Sequence, residues 1–488
     1  MDEKMQNEKK SVLFVSMPFA GLMIPDIQLP LLERYLKDRG IKVHTRHLSF
    51  KAAEFYGQKE KQLSFDEYVQ QTDLFYNWTL EHVEWKAYDI IGFIVNPEQF
   101  LPSIAIAKKI KEQYPEKMIV FCGGNVAGQL GVNVLRTFDC IDFAISGDCE
   151  EALYRLATDF QNYDSIPHLI YRVEDDVIWN QPDTYIDLNT LPIPDFESFY
   201  EELNQVSKGF QRFFLDYGRL PIEISRGCWW GQCTFCNINI LHSCYREKSV
   251  KRIIEEIKFL SDEYTIRRFQ LIGNTLPKKD SRLLFEAIIK LGRDLDFCAD
   301  VRPDQLQRDD YKLMKEAGFN NIRIGIKSFS KNYLKKMNTG VVKVIDNIEA
   351  LKFCKENGIN ALYDLLVNYP NEEDIDFEET KKTLNQIEAW DLNLPQQLTN
   401  FVVHFGSIIY NNPAAFNIKK LEYTEIDKLM FPSDILEKHI TFYYDFKRKK
   451  DIGKHDWEQL IREWRREKGK LYSVDMNIIN MWGKPQTY

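Results

Sequence analysis

Short apolar runs alternate with helical apolar periods along most of this chain, and that alternation predicts the fold. In residues 11–165, runs at 12–15, 90–95 and 118–122 read as buried strands, with further strands at 41–48 and 142–145. Apolar periods at 25–39, stopped by Gly40, and at 102–113 read as helices. Strands separated by helical stretches predict a doubly wound, Rossmann-like parallel sheet. Residues 166–215 read as a connector, with 169–173 and 177–180 pairing as a hairpin across 174–176 and a stretch at 188–195 too rich in proline for a helix. Alternation resumes near 217. Strands are expected at 221–225, 268–272, 297–301, 321–326, 361–367 and 397–403, and helices between them, as at 250–261, 281–291 and 311–317. Gly318 and Gly358 stand where helix C-caps belong. Six such units over 216–410 predict a partial (β/α)6 barrel with its site at the strand C-termini. Residues 411–488 read as mainly helical, with Trp457, Leu460, Ile461 and Trp464 on one helix face.

Composition narrows the picture. The 488 residues suffice for two or three domains. A net charge of −9 argues against a broad nucleic-acid surface. No apolar run is long enough for a membrane span, and the polar N-terminus lacks the apolar core of a signal peptide. Nine cysteines, an odd number, suit a reducing cytoplasm and metal chemistry better than a disulfide framework.

The chemistry concentrates in one loop. Cys228, Cys233 and Cys236 follow the first barrel strand, with Trp229, Trp230 and Phe235 among them. Soft thiolates favour iron–sulfur clusters, zinc or copper(I). Three close cysteines suit a cluster with one iron left open to bind and reduce a small molecule. The alternative is structural zinc, with Cys244 or His242 as fourth ligand. In the N-terminal sheet, ligands should meet the loops after the strands. These contain Pro18 and Phe19, Asn96 and Gln99, Gly123, Gly124 and Asn125, and Gly147 and Asp148. The bland alternative is that these are only tight turns. No Gly-x-Gly-x-x-Gly follows the first strand, which lowers the case for NAD.

A cysteine loop after strand one of a partial barrel, behind a nucleotide-type sheet, resembles the cobalamin-dependent radical SAM enzymes. The stretches 123–131 and 143–150 look like the strand ends of their cobalamin-binding domain, and Arg226-Gly227-Cys228-Trp229-Trp230-Gly231 resembles the cluster loop of the RiPP maturation radical SAM protein 1 subfamily, which includes peptide C-methyltransferases. Similar echoes lie at 313–318, 324–330 and 334–340, so the resemblance spans roughly residues 11–420. It implies that Cys228, Cys233 and Cys236 hold a [4Fe–4S] cluster whose open iron binds S-adenosylmethionine (SAM). An external electron donor would feed the cluster. Cleavage of SAM would give a 5′-deoxyadenosyl radical that attacks an unactivated carbon. Cobalamin, held by the loops of the first domain, would carry a methyl group. Phe235, Asn274, Arg302, Ser328 and Asn368 would contact SAM. Arg302 could instead cap the Pro303–Asp304 turn. His404 is a candidate donor to substrate, and Cys298 a candidate hydrogen donor for epimerisation.

The chain departs from that pattern in four places. Only four residues separate Cys228 from Cys233, where the family usually has a longer insert. Lys327 stands beside Ser328 where a glutamate is usual, and an ammonium cannot accept the hydrogen bonds a carboxylate does. Gly273 precedes Asn274 where an acidic residue is common, and 366–372 lacks glycines expected at that turn. The implied activity is C-methylation of a ribosomally made precursor peptide, with a small-molecule substrate as the other possibility. Epimerisation, cyclisation or transfer of another SAM-derived group forms a second reading, and a zinc-stapled binding protein a third.

Overall fold

The computed structural model describes residues 9–57, 65–182, 184–450, 455–457 and 459–460, and within it the chain forms two compact units. The first contains the described residues up to Gly218 together with Pro432–Phe442; the second contains Arg219–Phe431 and the described residues from Tyr443 onward.

The first unit is built on a seven-stranded sheet. Its strands are β1 (Val12–Ser16), β2 (Val43–His47), β3 (Ile90–Ile94), β4 (Met118–Cys122), β5 (Phe143–Ile145), β6 (Leu169–Val173) and β7 (Asp176–Trp179). Their spatial order is β2-β1-β3-β4-β5-β6-β7. β1 to β5 are parallel, and β6 and β7 add an antiparallel edge. β1 and β3 are buried along their whole length, as continuous apolar runs in a covered parallel sheet should be. Leu29, Leu32 and Leu36 of helix Gln28–Lys37 and Leu153 and Leu156 of helix Glu150–Thr158 share one core with Val12, Phe14 and Ile90. β1 pairs with β2 on one side and β3 on the other, so the direction of winding reverses between β1 and β3. A crevice opens at such a switch point, outside the strand C-termini.

The predicted hairpin forms, and it extends the sheet rather than only linking domains. The rest of the predicted connector carries two helices, Glu197–Leu203 and Lys208–Tyr217, within the first unit. Helices Leu48–Gly57 and Phe65–His82 had no counterpart in the sequence pattern read above.

In the second unit, β8 (Leu220–Glu223) leads to a short ladder of β9 (Ser225–Arg226) and β10 (Arg246–Glu247). Then follow β11 (Arg268–Ile272), β12 (Asp296–Cys298), β13 (Asp300–Val301), β14 (Asn321–Ile324), β15 (Asn360–Leu362), β16 (Asp364–Val367), β17 (Gln397–Asn400) and β18 (Val403–His404). Parallel pairings run β8–β11–β12, β13–β14–β15 and β16–β17. This is the expected arc of six strand–helix units, with breaks at Ile224, Ala299, Tyr363 and 401–402 where single strands were predicted. Burial alternates along the arc: Phe269, Phe297 and Ile322 are buried, while Gln270, Cys298, Asp300 and Arg323 are half-buried. The second set therefore forms a polar row on the opposite face of the arc.

Past residue 411 the described chain differs from the helical expectation. β19 (Ile418–Tyr423) and β20 (Tyr443–Arg448) pair antiparallel, and β20 also pairs with β18. The helices there, Glu425–Met430 and Ser433–Leu436, are short. Most of the predicted helix face at 457–468 lies outside the described residues.

Candidate functional site: the cysteine loop and the strand ends

The cysteine loop leaves and rejoins the barrel at one neck. β9 and β10 pair Ser225 with Glu247 and Arg226 with Arg246, so residues 227–245 form a closed excursion from the end of β8. Two buried ion pairs brace the neck. Arg226 donates to both oxygens of Glu223 at 2.7 and 3.2 Å, and Lys248 donates to Glu256 at 2.7 and 3.0 Å. Gly227 has φ +79°, and a Cβ there would lie 2.6 Å from the carbonyl oxygen of Cys244. That close approach closes the loop, and only glycine permits it.

Side chains from later barrel strands hold the loop in place. Asn274, after β11, donates its amide to the Gly227 carbonyl at 2.5 Å. The Thr234 N–H donates to the Met337 carbonyl at 3.0 Å, its hydroxyl lies 2.7 Å from the Tyr369 hydroxyl, and its own carbonyl accepts from Ile409 N–H at 3.1 Å. The Trp230 indole donates to the Asn338 carbonyl at 2.8 Å, and the Asn338 amide returns a bond to the Gln232 carbonyl at 2.9 Å. Asn237 donates to the Phe405 carbonyl at 3.2 Å. The backbone between the cysteines is thus tied to segments after β14, β16 and β18.

All three thiols are half-buried and unbridged. Burial, then the charges of Cys236 and Cys228, push the Cys233 thiol up to about 12, against the pull of Arg302 and Lys327. Burial also raises Cys236, opposed by backbone N–H donors and again by Lys327. Three thiols close enough to repel when ionised form a donor set for a metal centre, which would supply the missing positive charge. Among the described residues no three His, Cys, Asp or Glu side chains converge as ligands of a single ion.

The expected SAM-contacting residues divide. Asn274 lies at the loop but spends its amide on Gly227. Arg302 lies over the Trp229 ring at 4.7 Å, yet its fork is bidentate to Asp304 at 3.0 Å twice and also reaches the Thr339 carbonyl. Of the two roles open to it, the turn-capping one is the geometry seen. Ser328 is buried; its hydroxyl accepts from Ser330 N–H at 3.0 Å and its carbonyl from the Asn347 amide. Asn368 pairs with Asn400 at 2.6 Å. Phe235 is half-buried in the loop.

Three ionisable groups lie in the same electrostatic neighbourhood. His404 is pushed down to about 4 by burial and then by the Lys327 charge. Burial lifts the Cys298 thiol to about 11. Burial lifts Asp300 to about 6, against the pull of Arg323 and Lys327. Asp300 was absent from the sequence-derived candidates, although a signal existed: Asp296, Cys298, Asp300 and Arg302 alternate with Phe297, Ala299 and Val301.

The strand-end loops of the first unit converge at the β1/β3 switch point. Gln99, 1% exposed, donates its amide to the Met17 carbonyl at 3.1 Å, beside the buried Pro18 and half-buried Phe19. The Asn96 amide lies 3.5 Å from the Gln99 side-chain oxygen. Gly123 has φ +108°, and a Cβ there would lie 2.8 Å from the Val95 carbonyl oxygen. Gly124 packs beside Asn96, and Asn125 donates its N–H to the Val95 carbonyl while its side-chain oxygen, buried, has no partner among the described residues. Gly147 and Asp148 stand one strand further along; the Asp148 carboxylate accepts from Ile186 N–H at 3.2 Å.

Residues 222–384 match the Radical SAM superfamily. This stretch is a radical SAM domain, the class whose cofactors are a [4Fe–4S] cluster and SAM. An uncharacterized methyltransferase of Pyrococcus horikoshii is 26% identical over 73% of this chain and 78% of its own length. A putative methylthiotransferase of Methanocaldococcus jannaschii is 26% identical over 46% of this chain and 49% of its own. Among solved structures, the radical SAM methyltransferase TsrM of Kitasatospora setae, with cobalamin and a [4Fe–4S] cluster bound, superposes with a TM-score of 0.62 at 16% identity. That match covers 83% of this chain and 74% of TsrM. The cobalamin-dependent radical enzyme OxsB gives 0.61 at 17% identity over 98% of this chain and 63% of its own. At these identities the two structures establish a shared fold. Among the described residues no helix is long and apolar enough to cross a membrane.

Proposed function

We propose that this chain is a cobalamin-dependent radical SAM methyltransferase that acts on an unactivated carbon of a ribosomally made peptide. The observation that carries the proposal is the three-thiol loop, closed at Gly227 and hung from the C-terminal ends of a six-strand parallel arc. Cys228, Cys233 and Cys236 would hold the cluster. The switch-point loops with Pro18, Phe19, Asn96, Gln99, Gly123, Gly124 and Asn125, and beyond them Gly147 and Asp148, would hold cobalamin. The Asn125 side-chain oxygen, buried and without a hydrogen-bond partner among the described residues, offers an acceptor to such a ligand. When bound, the cluster and SAM supply one-electron radical chemistry and cobalamin supplies a methyl carrier.

The chain's own residues set the conditions. Trp230 ties the loop to the Asn338 carbonyl, and the Trp229 ring lies under Arg302 and Lys278. His404 is neutral at working pH and can hold a proton at either ring nitrogen, and Asp300 can gain or lose one near pH 6. Asn274 positions the loop. The methyltransferase names of the Pyrococcus relative and of TsrM support methyl transfer over epimerisation or cyclisation. The peptide substrate is supported by the resemblance of residues 226–231. A small-molecule substrate is the competing reading, since TsrM has been seen with tryptophan. Nine free cysteines suit work in a reducing compartment, which we take to be the cytoplasm. Anaerobically reconstituted protein, supplied with cobalamin, reductant, SAM and a precursor peptide, should add one methyl group to a peptide carbon, read by fragmentation mass spectrometry. Methylation of free tryptophan but of no peptide would move the substrate to the small-molecule class. A modified product of unchanged mass would refute methyl transfer.

A further inference from the structure

The turn after β16 is held by side chains from elsewhere in the second unit. Asn368 opens it in the left-handed region at φ +61°, and carbonyls in such a turn need partners that a strand or helix would supply. Four in a row find them. Arg448 Nη2 donates to the Asn368 carbonyl at 2.9 Å and to the Tyr369 carbonyl at 3.1 Å. The Asn417 amide donates to the Pro370 carbonyl at 3.2 Å, and the Lys336 ammonium to the Asn371 carbonyl at 2.5 Å. The turn ends at buried Glu372, whose carboxylate accepts from the Trp457 indole at 2.8 Å. Asn417, Arg448 and Trp457 all come from the chain beyond the barrel strands. Arg448 stands on β20 opposite Ile418 of β19, so that hairpin delivers the guanidinium to the turn.

The side chain this turn carries is Tyr369. It is fully buried, its N–H donates to the Tyr333 hydroxyl at 2.9 Å, and its ring meets Tyr333 and Phe401 edge-on at 5.3 and 4.9 Å. Its hydroxyl lies 2.7 Å from the hydroxyl of Thr234, the residue that follows Cys233. The two carbonyls gripped by Arg448 belong to the peptide units on either side of the Tyr369 Cα. One guanidinium nitrogen therefore fixes both ends of the backbone from which a rigid ring reaches the cysteine loop. Every link in this chain of contacts is a hydrogen bond within the second unit.

We propose that Arg448 is a positioning residue for the cysteine loop: by gripping the peptide units around Tyr369 it fixes the hydroxyl that holds Thr234 between Cys233 and Cys236, so that the β19–β20 hairpin sets how tightly the loop retains its cluster. The inference rests on the cluster reading above. Groups that hold metal ligands in place, without touching the metal, set the ligands' geometry and the metal's retention. A lysine cannot reproduce the planar guanidinium, because its donors radiate from a single point on a flexible stem.

The test uses full-length wild type, Arg448→Met, Arg448→Lys, Tyr369→Phe and the double variant Arg448→Met/Tyr369→Phe, reconstituted anaerobically with iron and sulfide. Iron content, the rate of iron loss to a chelator, the electron paramagnetic resonance of the reduced cluster and the melting temperature of the apo-protein are measured. Arg448→Met and Tyr369→Phe should each lose iron several-fold faster than wild type and broaden the reduced signal alike, with Arg448→Lys between Arg448→Met and wild type. Because both substitutions break one route, the double variant should lose iron no faster than the faster single one. Rates that multiply in the double variant overturn the proposal. So does an Arg448→Met protein that melts lower but keeps the wild-type rate and signal, since its role is then structural alone. Should Arg448→Met fail to fold, wild-type rates in both Arg448→Lys and Tyr369→Phe overturn it equally. Wild type that loads no iron defeats the cluster reading itself, whereas a loaded wild type with indifferent Arg448 variants defeats this inference alone.

Discussion

Gly227 decides whether the cysteine loop can close. With φ +79° and a backbone oxygen 2.6 Å from where a Cβ would sit, Gly227→Ala should cost more than about 1 kcal/mol and displace the neck. The variant should melt lower and load less iron, checked by calorimetry and iron assay. Asn274→Ala removes the amide that holds the Gly227 carbonyl. It should lower cluster occupancy severalfold while leaving SAM affinity, per loaded cluster, near wild type; a selective loss of SAM affinity would make Asn274 a ligand contact instead. The cysteines themselves were legible because chemistry fixes their spacing within one short segment. Their anchors were not. Thr234 meets Tyr369 across 135 residues of sequence and Gln232 meets Asn338 across 106, tertiary contacts that no local pattern encodes. Arg302 shows the same limit. Its position at a strand end was readable, but its partner, two residues along, won the guanidinium.

At the scale of elements, the apolar runs worked where strands are buried on both faces. β1, β3 and β4 fall where those runs lie. Four predicted barrel strands are split, at Ile224, Ala299, Tyr363 and 401–402, since hydrophobicity continues through a break that only pairing reveals. The pair β19–β20 was missed because its exposed Lys419 and Lys420 and its aromatic residues imitate a charged amphipathic helix. The switch-point loops were legible as strand ends, but the β1/β3 reversal that makes them converge lies in strand order. A prediction belongs here. Gly123→Ala, at φ +108° and 2.8 Å from the Val95 carbonyl oxygen, should distort the loop after β4. Cobalamin affinity should fall at least severalfold with cluster content unchanged, read by equilibrium dialysis and iron assay.

For the whole molecule, acid sensitivity follows from histidines kept neutral. His47 on β2 is 5% exposed, and burial, then the Arg46 charge, holds it down to about 3. Its unfolded value lies near 6.5, so between those values the unfolded chain binds the extra proton. The stability it contributes is whole above pH 6.5 and declines as pH falls toward 3. His404 acts in the same sense down to about 4. Asp26, raised to about 6 by burial, acts in the opposite sense and loses its contribution as pH rises through 6. Comparing wild type with His47→Phe isolates the histidine. The variant should show a flatter decline in melting temperature below pH 6.5, and an identical slope would contradict the assignment.

The most direct measurement is the electron paramagnetic resonance spectrum of anaerobically reconstituted, reduced protein, recorded before and after SAM is added. A reduced four-iron signal that changes shape with SAM, and that is lost in Cys233→Ala, is the predicted result. Protein that retains only zinc and gives no signal would contradict the account.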